Sequence, residues 1–306
     1  MELTQQSPPT VSEPAGLKVW LLASRPKTLT AAVVPVLVGS SLVGVDGLRG
    51  EWWVTVCALM STILIQVGTN FFNDVLDFKK GADNHERIGP RRVTQQGWVT
   101  PGRVATMAVI CFVLAMLLGL PLVFKGGAVI LTVGILALLL GYAYTGGPYP
   151  LAYNGLGDFF VLVFFGWIAV GGMYYLHTAT YGWSAAIAGT QIGCLATVLI
   201  AINNLRDHQG DRKVKKRTLA VRFGVDFARA EILLLTALPF ALSGYWWGSG
   251  NYSAALLPLI VLPLGATLVR GIYRTEPGPT YNKFLGQAAL LHLSFGLLLS
   301  LGFLTS

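Results

Sequence analysis

Apolar residues in this chain come in long unbroken runs rather than in alternating or three-to-four-spaced patterns. Nine runs are long enough to be read as membrane spans, at roughly 28–45, 53–74, 104–123, 127–144, 157–176, 184–205, 230–248, 253–270 and 285–304. Backbone groups inside lipid must find partners within their own segment, so such runs form helices. The polar residues gather between them, and Pro121 with Lys125-Gly126-Gly127 marks a very short turn between the third and fourth. The pattern predicts an all-α, polytopic membrane bundle occupying 17–306 as one domain. Residues 1–16 are polar and Pro-rich, and are expected to form a disordered cytoplasmic lead.

Charge fixes the expected orientation. With the N-terminus inside, the inner segments are the lead and the loops near 75–103, 145–156, 206–229 and 271–284, and they carry 20 of the 22 Lys and Arg residues. Only Arg49 and Lys125 fall on the other side. Such a split predicts an integral membrane protein with its N-terminus inside and C-terminus outside. Residues 1–16 do not resemble a transit peptide, so a bacterial or archaeal inner membrane is expected. The composition agrees: 54% of the 306 residues are hydrophobic, 12% are charged, and the mean hydropathy is +0.61. A net charge of +8 invites a nucleic-acid reading, but the basic residues flank spans, where topology, anionic lipid and an anionic ligand explain them better. Cys57, Cys111 and Cys194 sit inside apolar runs without paired spacing, as buried inert thiols.

Two polar stripes interrupt the ends of the second and sixth runs. Residues 70–92 read NFFNDVLDFKKGADNHERIGPRR, with Asn70, Asn73, Asp74 and Asp77 at i, i+3, i+4 and i+7 of one helix face and Asp83 beyond a turn at Gly81. Residues 203–224 read NNLRDHQGDRKVKKRTLAVRFG, with Asn203, Asp207 and Asp211 four apart and Arg206, Arg212, Lys213, Lys215, Lys216 and Arg217 around them. A solvated helix end needs no such order of amides and acids. A basic run after a span can be a topology signal alone, which suits Lys215 and Lys216 but leaves the interleaved acids unexplained. Hard oxygen donors of this kind suit Mg²⁺, which keeps water and binds through a few carboxylates plus phosphate oxygens. Two acid clusters meeting across a bundle, each beside cations, predict a metal-bridged diphosphate at a membrane surface. A diphosphate carried on a long hydrocarbon would lie in the bilayer, so the chemistry indicated is prenyl transfer.

These stretches carry a family resemblance. The chain resembles the UbiA-type superfamily of membrane prenyltransferases over roughly 17–304, and within it the branch that prenylates 1,4-dihydroxy-2-naphthoate in menaquinone synthesis. The matching stretches are Arg25-Pro-Lys-Thr-Leu, Asn73-Asp-x-x-Asp-x-x-x-Gly-x-Asp83, Arg87-Ile-Gly-Pro-Arg91, Tyr144-Thr-Gly-Gly-Pro148, Gly155-Leu-Gly-Asp158, Asn203-Asn-x-Arg-Asp207 and Thr218-Leu-Ala-Val-Arg222-x-Gly224. Many superfamily members place a third Asp where this chain has Gly81, and the Gly-x-Asp83 form favours the naphthoate branch over enzymes acting on 4-hydroxybenzoate. The resemblance implies a central cavity with both Asp-rich motifs at its cytoplasmic end, holding Mg²⁺ and a polyprenyl diphosphate. An allylic cation would be captured by the acceptor carbon, and loss of CO₂ would give demethylmenaquinone or a phytylated equivalent.

By residue, Asn73, Asp77, Asp207 and Asp211 are expected to hold metal and to serve the chemistry, with Asn70, Asp74, Asp83 and Asn203 beside them. Arg87, Arg91, Lys213 and Arg217 are expected on phosphate or on the acceptor carboxylate, which Arg25 or Lys27 can also meet. Tyr142 and Tyr144 either stabilise the cation through their ring faces or anchor the chain at the interface. His177 and His292 read as satisfied structural residues and His85 as solvated, while His208 is a poor match to an oxygen-preferring cation. Trp52, Trp53, Trp246 and Trp247 read as interface belts, and Asp158 as a helix N-terminal charge. The competing class is a transporter with acids coupling ion movement near the midplane. Prenyl chain length and oligomeric state are not encoded in any pattern of this kind.

Overall fold

The computed structural model describes residues 16–83 and 87–305. The expected lead, apart from Gly16, and His85 lie outside the described residues. Every regular element among those residues is helical, as the unbroken apolar runs require. The chain opens with α1 (Leu17–Ser24), a short turn at Pro26–Thr28 and α2 (Thr30–Ser41). It continues through α3 (Trp52–Lys79), α4 (Pro101–Ala143), α5 (Gly157–Thr178) and α6 (Trp183–Lys213). A short α7 (Leu219–Phe223) leads to α8 (Val225–Gly248), α9 (Tyr252–Arg274) and α10 (Tyr281–Leu304).

Six of these helices are long and apolar enough to cross a membrane, and the pair Leu17–Thr28 with Thr30–Asp46, bent by 53°, makes a seventh where it is counted as one broken span. Each of the nine expected segments lies in a helix, and the count by length and composition is lower for two reasons. The helix Pro101–Ala143 would be about 64 Å long if straight, twice a bilayer core. Gly127, at φ 61 and ψ −149, breaks it in a conformation that side chains rarely tolerate. The two arms fold back on each other: Phe72 of α3 packs edge-on against both Phe112 at 5.3 Å and Tyr142 at 5.2 Å. The second reason is α8, a 24-residue helix that falls outside the six by composition; Asp226, Arg229 and Glu231 lie in its first turns.

Two helices run further than the hydrophobic pattern alone indicates. At 28 and 31 residues, α3 and α6 are about 42 and 46 Å long and overreach a hydrocarbon core of about 30 Å. Their amide- and acid-bearing ends therefore stay helical while leaving the apolar slab. α6 is the axis of the bundle: 78% of an apolar 18-residue stretch of it is buried, against 22–44% in the other spans. It packs on α5, α8 and α10. Its closest approach is to α5, where Leu162–Ile168 widens into a π-helical stretch. A Cβ on Gly166 would lie 2.4 Å from the Gly189 carbonyl oxygen, so only glycine permits this crossing.

Two expectations about single residues change. Trp246 is fully buried, donating Nε1–H to Gln191 Oε1 at 2.9 Å and packing on Tyr245 and Phe303, so it belongs to the core and not to an interface belt. Trp52 and Trp247 remain exposed at helix ends. His292 is buried, but neither ring nitrogen has a partner, because the helix face around it is apolar. At the end of the bundle away from the acids, Glu51 pairs with Lys125, and its backbone N–H donates to His177 Nδ1 at 3.2 Å.

Candidate active site

The acid-bearing ends of α3 and α6 face one cavity of about 480 Å³. Its mouth is polar. Asn70, Asn73 and Asp77 reach it from α3, Asn203, Asp207 and Asp211 from α6, and Asp83 from the loop. Five cationic side chains share the mouth: Arg25, Arg87, Arg92, Lys213 and Lys216. The deeper part is lined by Ile65, Val133, Ala137, Leu140, Phe160, Phe164, Phe165, Ile168, Leu199 and Ile200. The compartment thus takes a charged group at one end and a hydrocarbon at the other.

The polar side chains of α3 that line the cavity are fixed by partners distant in sequence. Asn73 Oδ1 accepts from the Thr145 hydroxyl at 2.6 Å. Asp77 Oδ1 accepts from the Tyr153 phenol at 2.8 Å. Asn70 donates to the Ser24 carbonyl at 2.9 Å and to Thr28 Oγ1 at 3.2 Å, tying the bend between α1 and α2 to α3. That bend places Arg25, at φ 54, in the cavity wall with its Nε buried and unpartnered. Asp83 is held by Arg87 and by Arg92 Nε at 3.2 Å, so its carboxylate is already neutralised by two guanidiniums. Asp211 pairs through Oδ1 with Lys216 Nζ at 3.3 Å and keeps Oδ2 buried without a partner.

Electrostatics follow from this arrangement. Burial alone would lower the Lys216 ammonium, but the charges of Asp211, Asp77 and Asp207 outweigh it and hold it above its ordinary value. Burial, then the charge of Asp77 and its hydrogen bond, push the Tyr153 phenol up, so it remains a donor. Tyr144 lines the cavity with its phenol likewise pushed up by burial first and by Asp158 and Asp77 next.

Several expected site residues are placed elsewhere. Asp74 is buried and faces the Val93–Thr94 turn: its carboxylate accepts from Val93 N at 3.2 Å, Thr94 N at 3.1 Å and the Thr94 hydroxyl. It holds that turn and does not line the cavity. Arg91 and Arg217 are exposed and off the cavity; the backbone N–H of Arg217 donates to the Tyr153 carbonyl at 2.9 Å. Of the two tyrosines weighed for the cation, Tyr144 faces the cavity and Tyr142 is 43% exposed outside it. Asp158 sits in the first turn of α5 and accepts from Asn204 at 3.3 and 3.4 Å, behind the cavity wall. His208 bonds to the Leu205 carbonyl at 2.8 Å and is not in the wall.

Other residues were not singled out by sequence. Lys216, read as a topology signal, lies in the wall on Asp211. Thr145 and Tyr153 act on partners far along the chain, Asn73 and Asp77, while Arg92 meets Asp83 across the intervening loop, and nothing in the local sequence marks these roles.

The donor set fits a divalent cation carried with a polyphosphate. Among the described residues no three or more His, Cys, Asp or Glu side chains converge as a preformed metal cage. What lines the cavity is a few carboxylate and amide side chains, and Asp211 Oδ2 is buried beside it without a partner. Mg²⁺ is typically held this way, completing its shell with water and phosphate oxygens.

Comparison with known proteins agrees with the geometry. A 1,4-dihydroxy-2-naphthoate octaprenyltransferase of Haemophilus influenzae is 34% identical over 304 residues, 94% of this chain and 96% of that protein. A 2-carboxy-1,4-naphthoquinone phytyltransferase of Synechocystis is 29% identical over 98% of both chains. The solved structure of a UbiA homologue from Archaeoglobus fulgidus bound to GPP and Mg²⁺ has the same fold, with a TM-score of 0.61 at 16% identity over 92% of this chain and 99% of that one. The profile of the UbiA prenyltransferase family matches residues 32–303, and the chain is therefore an integral membrane protein belonging to the UbiA prenyltransferase family.

Proposed function

We propose that this protein transfers a polyprenyl group from an allylic polyprenyl diphosphate to 1,4-dihydroxy-2-naphthoate, releasing diphosphate and CO₂. The observation that carries the reading is the single cavity with acids and cations at its mouth and an apolar interior. The naphthoate acceptor is supported by the relatives above, whose names specify naphthoate or naphthoquinone substrates.

Asp77, Asp207 and Asp211, with Asn73 and Asn203, are the proposed holders of Mg²⁺. Held there, Mg²⁺ would neutralise charge on the departing diphosphate, where electron density accumulates as the carbon–oxygen bond breaks. Lys213, Lys216 and Arg87 face the same anion, Lys as a point charge and Arg as a fork. Arg25, with its unpartnered Nε, is the proposed partner of the acceptor carboxylate. The cavity shields the allylic cation from water, with the Tyr144 ring face available to it. The acceptor ring carbon gives its electron pair to the allylic carbon. The carboxylate then leaves as CO₂, and its bonding pair restores the aromatic ring, so no base is needed on that carbon. The product is demethylmenaquinone in its quinol form. The acids lie on the cytoplasmic side of an inner membrane, with the N-terminus inside, as the distribution of Lys and Arg supports.

The test is an assay of purified protein with Mg²⁺ and geranylgeranyl diphosphate, offered 1,4-dihydroxy-2-naphthoate and 4-hydroxybenzoate in parallel and read by mass. A prenylated naphthoquinone lacking the carboxyl carbon is expected. Product from the benzoate alone would overturn the acceptor, and no product from either would overturn the activity.

A further inference from the structure

Tyr153 stands behind the cavity wall and touches both acid motifs. It sits in the turn Leu151–Asn154 between α4 and α5, and it does not line the cavity. Its phenol donates to Asp77 Oδ1 at 2.8 Å. One ring face carries Lys80 Nζ at 4.4 Å from the centroid, and Lys216 Nζ lies 5.8 Å from the same centroid while pairing with Asp211 at 3.3 Å. Its carbonyl accepts from the N–H of Arg217, next to Lys216. One side chain therefore couples a carboxylate of α3 to the ammonium that serves a carboxylate of α6.

A half-buried Asp side chain is free to rotate unless something holds one oxygen. The phenol holds one oxygen of Asp77 by its hydrogen bond and leaves the second oxygen to turn toward the cavity. Partners of this kind around metal ligands typically change cation affinity or activity by about 10- to 100-fold when removed. We propose that Tyr153 is a positioning residue for the cation site: it orients Asp77 through its hydroxyl and keeps Lys216 on Asp211 through its ring and backbone. This rests on the reading of Asp77 as a cation ligand.

The experiment uses full-length protein in detergent, Mn²⁺ as a paramagnetic stand-in and inorganic diphosphate, with free Mn²⁺ followed by electron paramagnetic resonance and folding by thermal unfolding. Asp77→Asn should weaken Mn²⁺ binding strongly; unchanged binding would remove Asp77 from the site and take this proposal with it. Tyr153→Phe keeps the ring and loses the donor, and should weaken Mn²⁺ binding about 10- to 100-fold with an unchanged melting temperature. In the Asp77→Asn background, Tyr153→Phe should cost no further affinity. A change under twofold in Tyr153→Phe, beside a large one in Asp77→Asn, would overturn the proposal while leaving Asp77 a ligand. So would an equal loss in both backgrounds, or failure of Tyr153→Phe to fold, since either marks a merely structural residue.

Discussion

Arg206 grips the carboxylate of its own neighbour, Asp207, with Nε at 2.8 Å from Oδ1 and Nη2 at 2.6 Å from Oδ2. Adjacent residues on a helix point about 100° apart, so the pair forms only because the long guanidinium side chain wraps back. Arg206 is 2% exposed and also donates to Asn203 Oδ1 and Asn282 Oδ1, both at 2.7 Å. Asn282 in turn donates to the Ile88 carbonyl at 3.2 Å. The second acid motif, the start of α10 and the loop after the first motif thus hang on one cation.

Removing that cation should be costly. Arg206→Ala leaves one carboxylate and two amides, all half-buried, without their donor. Breaking a fully buried pair from one side costs about 3–5 kcal/mol, and this partly exposed pair should cost less than that. We expect a clear fall in melting temperature in detergent, with folded yield reduced. Asp207→Asn should also lower the melting temperature, because it strips the counter-ion from Arg206. A normal melting temperature for Arg206→Ala would mean that this network bears no part of the stability.

Asp74 gives the opposite separation of effects. Among the described residues its carboxylate accepts only from the Val93–Thr94 turn, and each orphaned buried N–H costs about 1–3 kcal/mol. Asp74→Ala should destabilise the protein and lower turnover by loosening Arg92, which lies just before that turn. The Mg²⁺ concentration giving half-maximal rate should stay within about twofold of wild type. A large rise in that concentration would return Asp74 to the cation site.

The contrast between Asp74 and Asp77 marks how far the sequence could be read. Period and composition placed Asn70, Asn73, Asp74 and Asp77 on one stripe, and that is where they are. A stripe of this width faces two neighbours, however, and only packing decides that the Asp74 edge meets Thr94 while the Asp77 edge meets the cavity. Tyr153, Arg92 and Thr145 were invisible for the same reason: each acts on a partner that the fold, not the local sequence, brings near. Trp246 shows the limit for the spans themselves. At a span end it looks like an interface residue, yet Gln191 on α6 supplies a buried acceptor that draws it into the core.

Metal removal should abolish turnover without unfolding. A structural metal site holds its ion by a complete set of protein ligands, and its loss unfolds the domain. Here the described residues offer no such set, and the bundle is held by apolar packing around α6. Excess chelator should therefore reduce product formation at least 100-fold, leave the far-ultraviolet circular dichroism unchanged, and be reversed by added Mg²⁺. Full turnover in chelator would remove the cation from the mechanism.

The deeper half of the cavity should set which tails fit. Thr62 and Asp77, both in the wall, are fifteen positions apart on α3, about 22 Å of helix. Thr62 turns its hydroxyl back to the Ala58 carbonyl at 2.8 Å, which leaves its methyl as the group free to face a hydrocarbon. Ala169 lies in the wall about 18 Å along α5 from Gly157, just past the π-helical stretch, where Ile168, Phe164 and Phe165 already crowd the space. Ala169→Phe adds a ring at that depth, and forcing bulk into a packed site costs about 1–3 kcal/mol. A short allylic diphosphate stops above this level and should react at a near-normal rate, whereas kcat/KM for a geranylgeranyl or longer donor should fall by roughly tenfold or more. Competition between the two donors in one reaction, read by product mass, measures the ratio directly. An equal loss for both would mean that the tail does not follow this path.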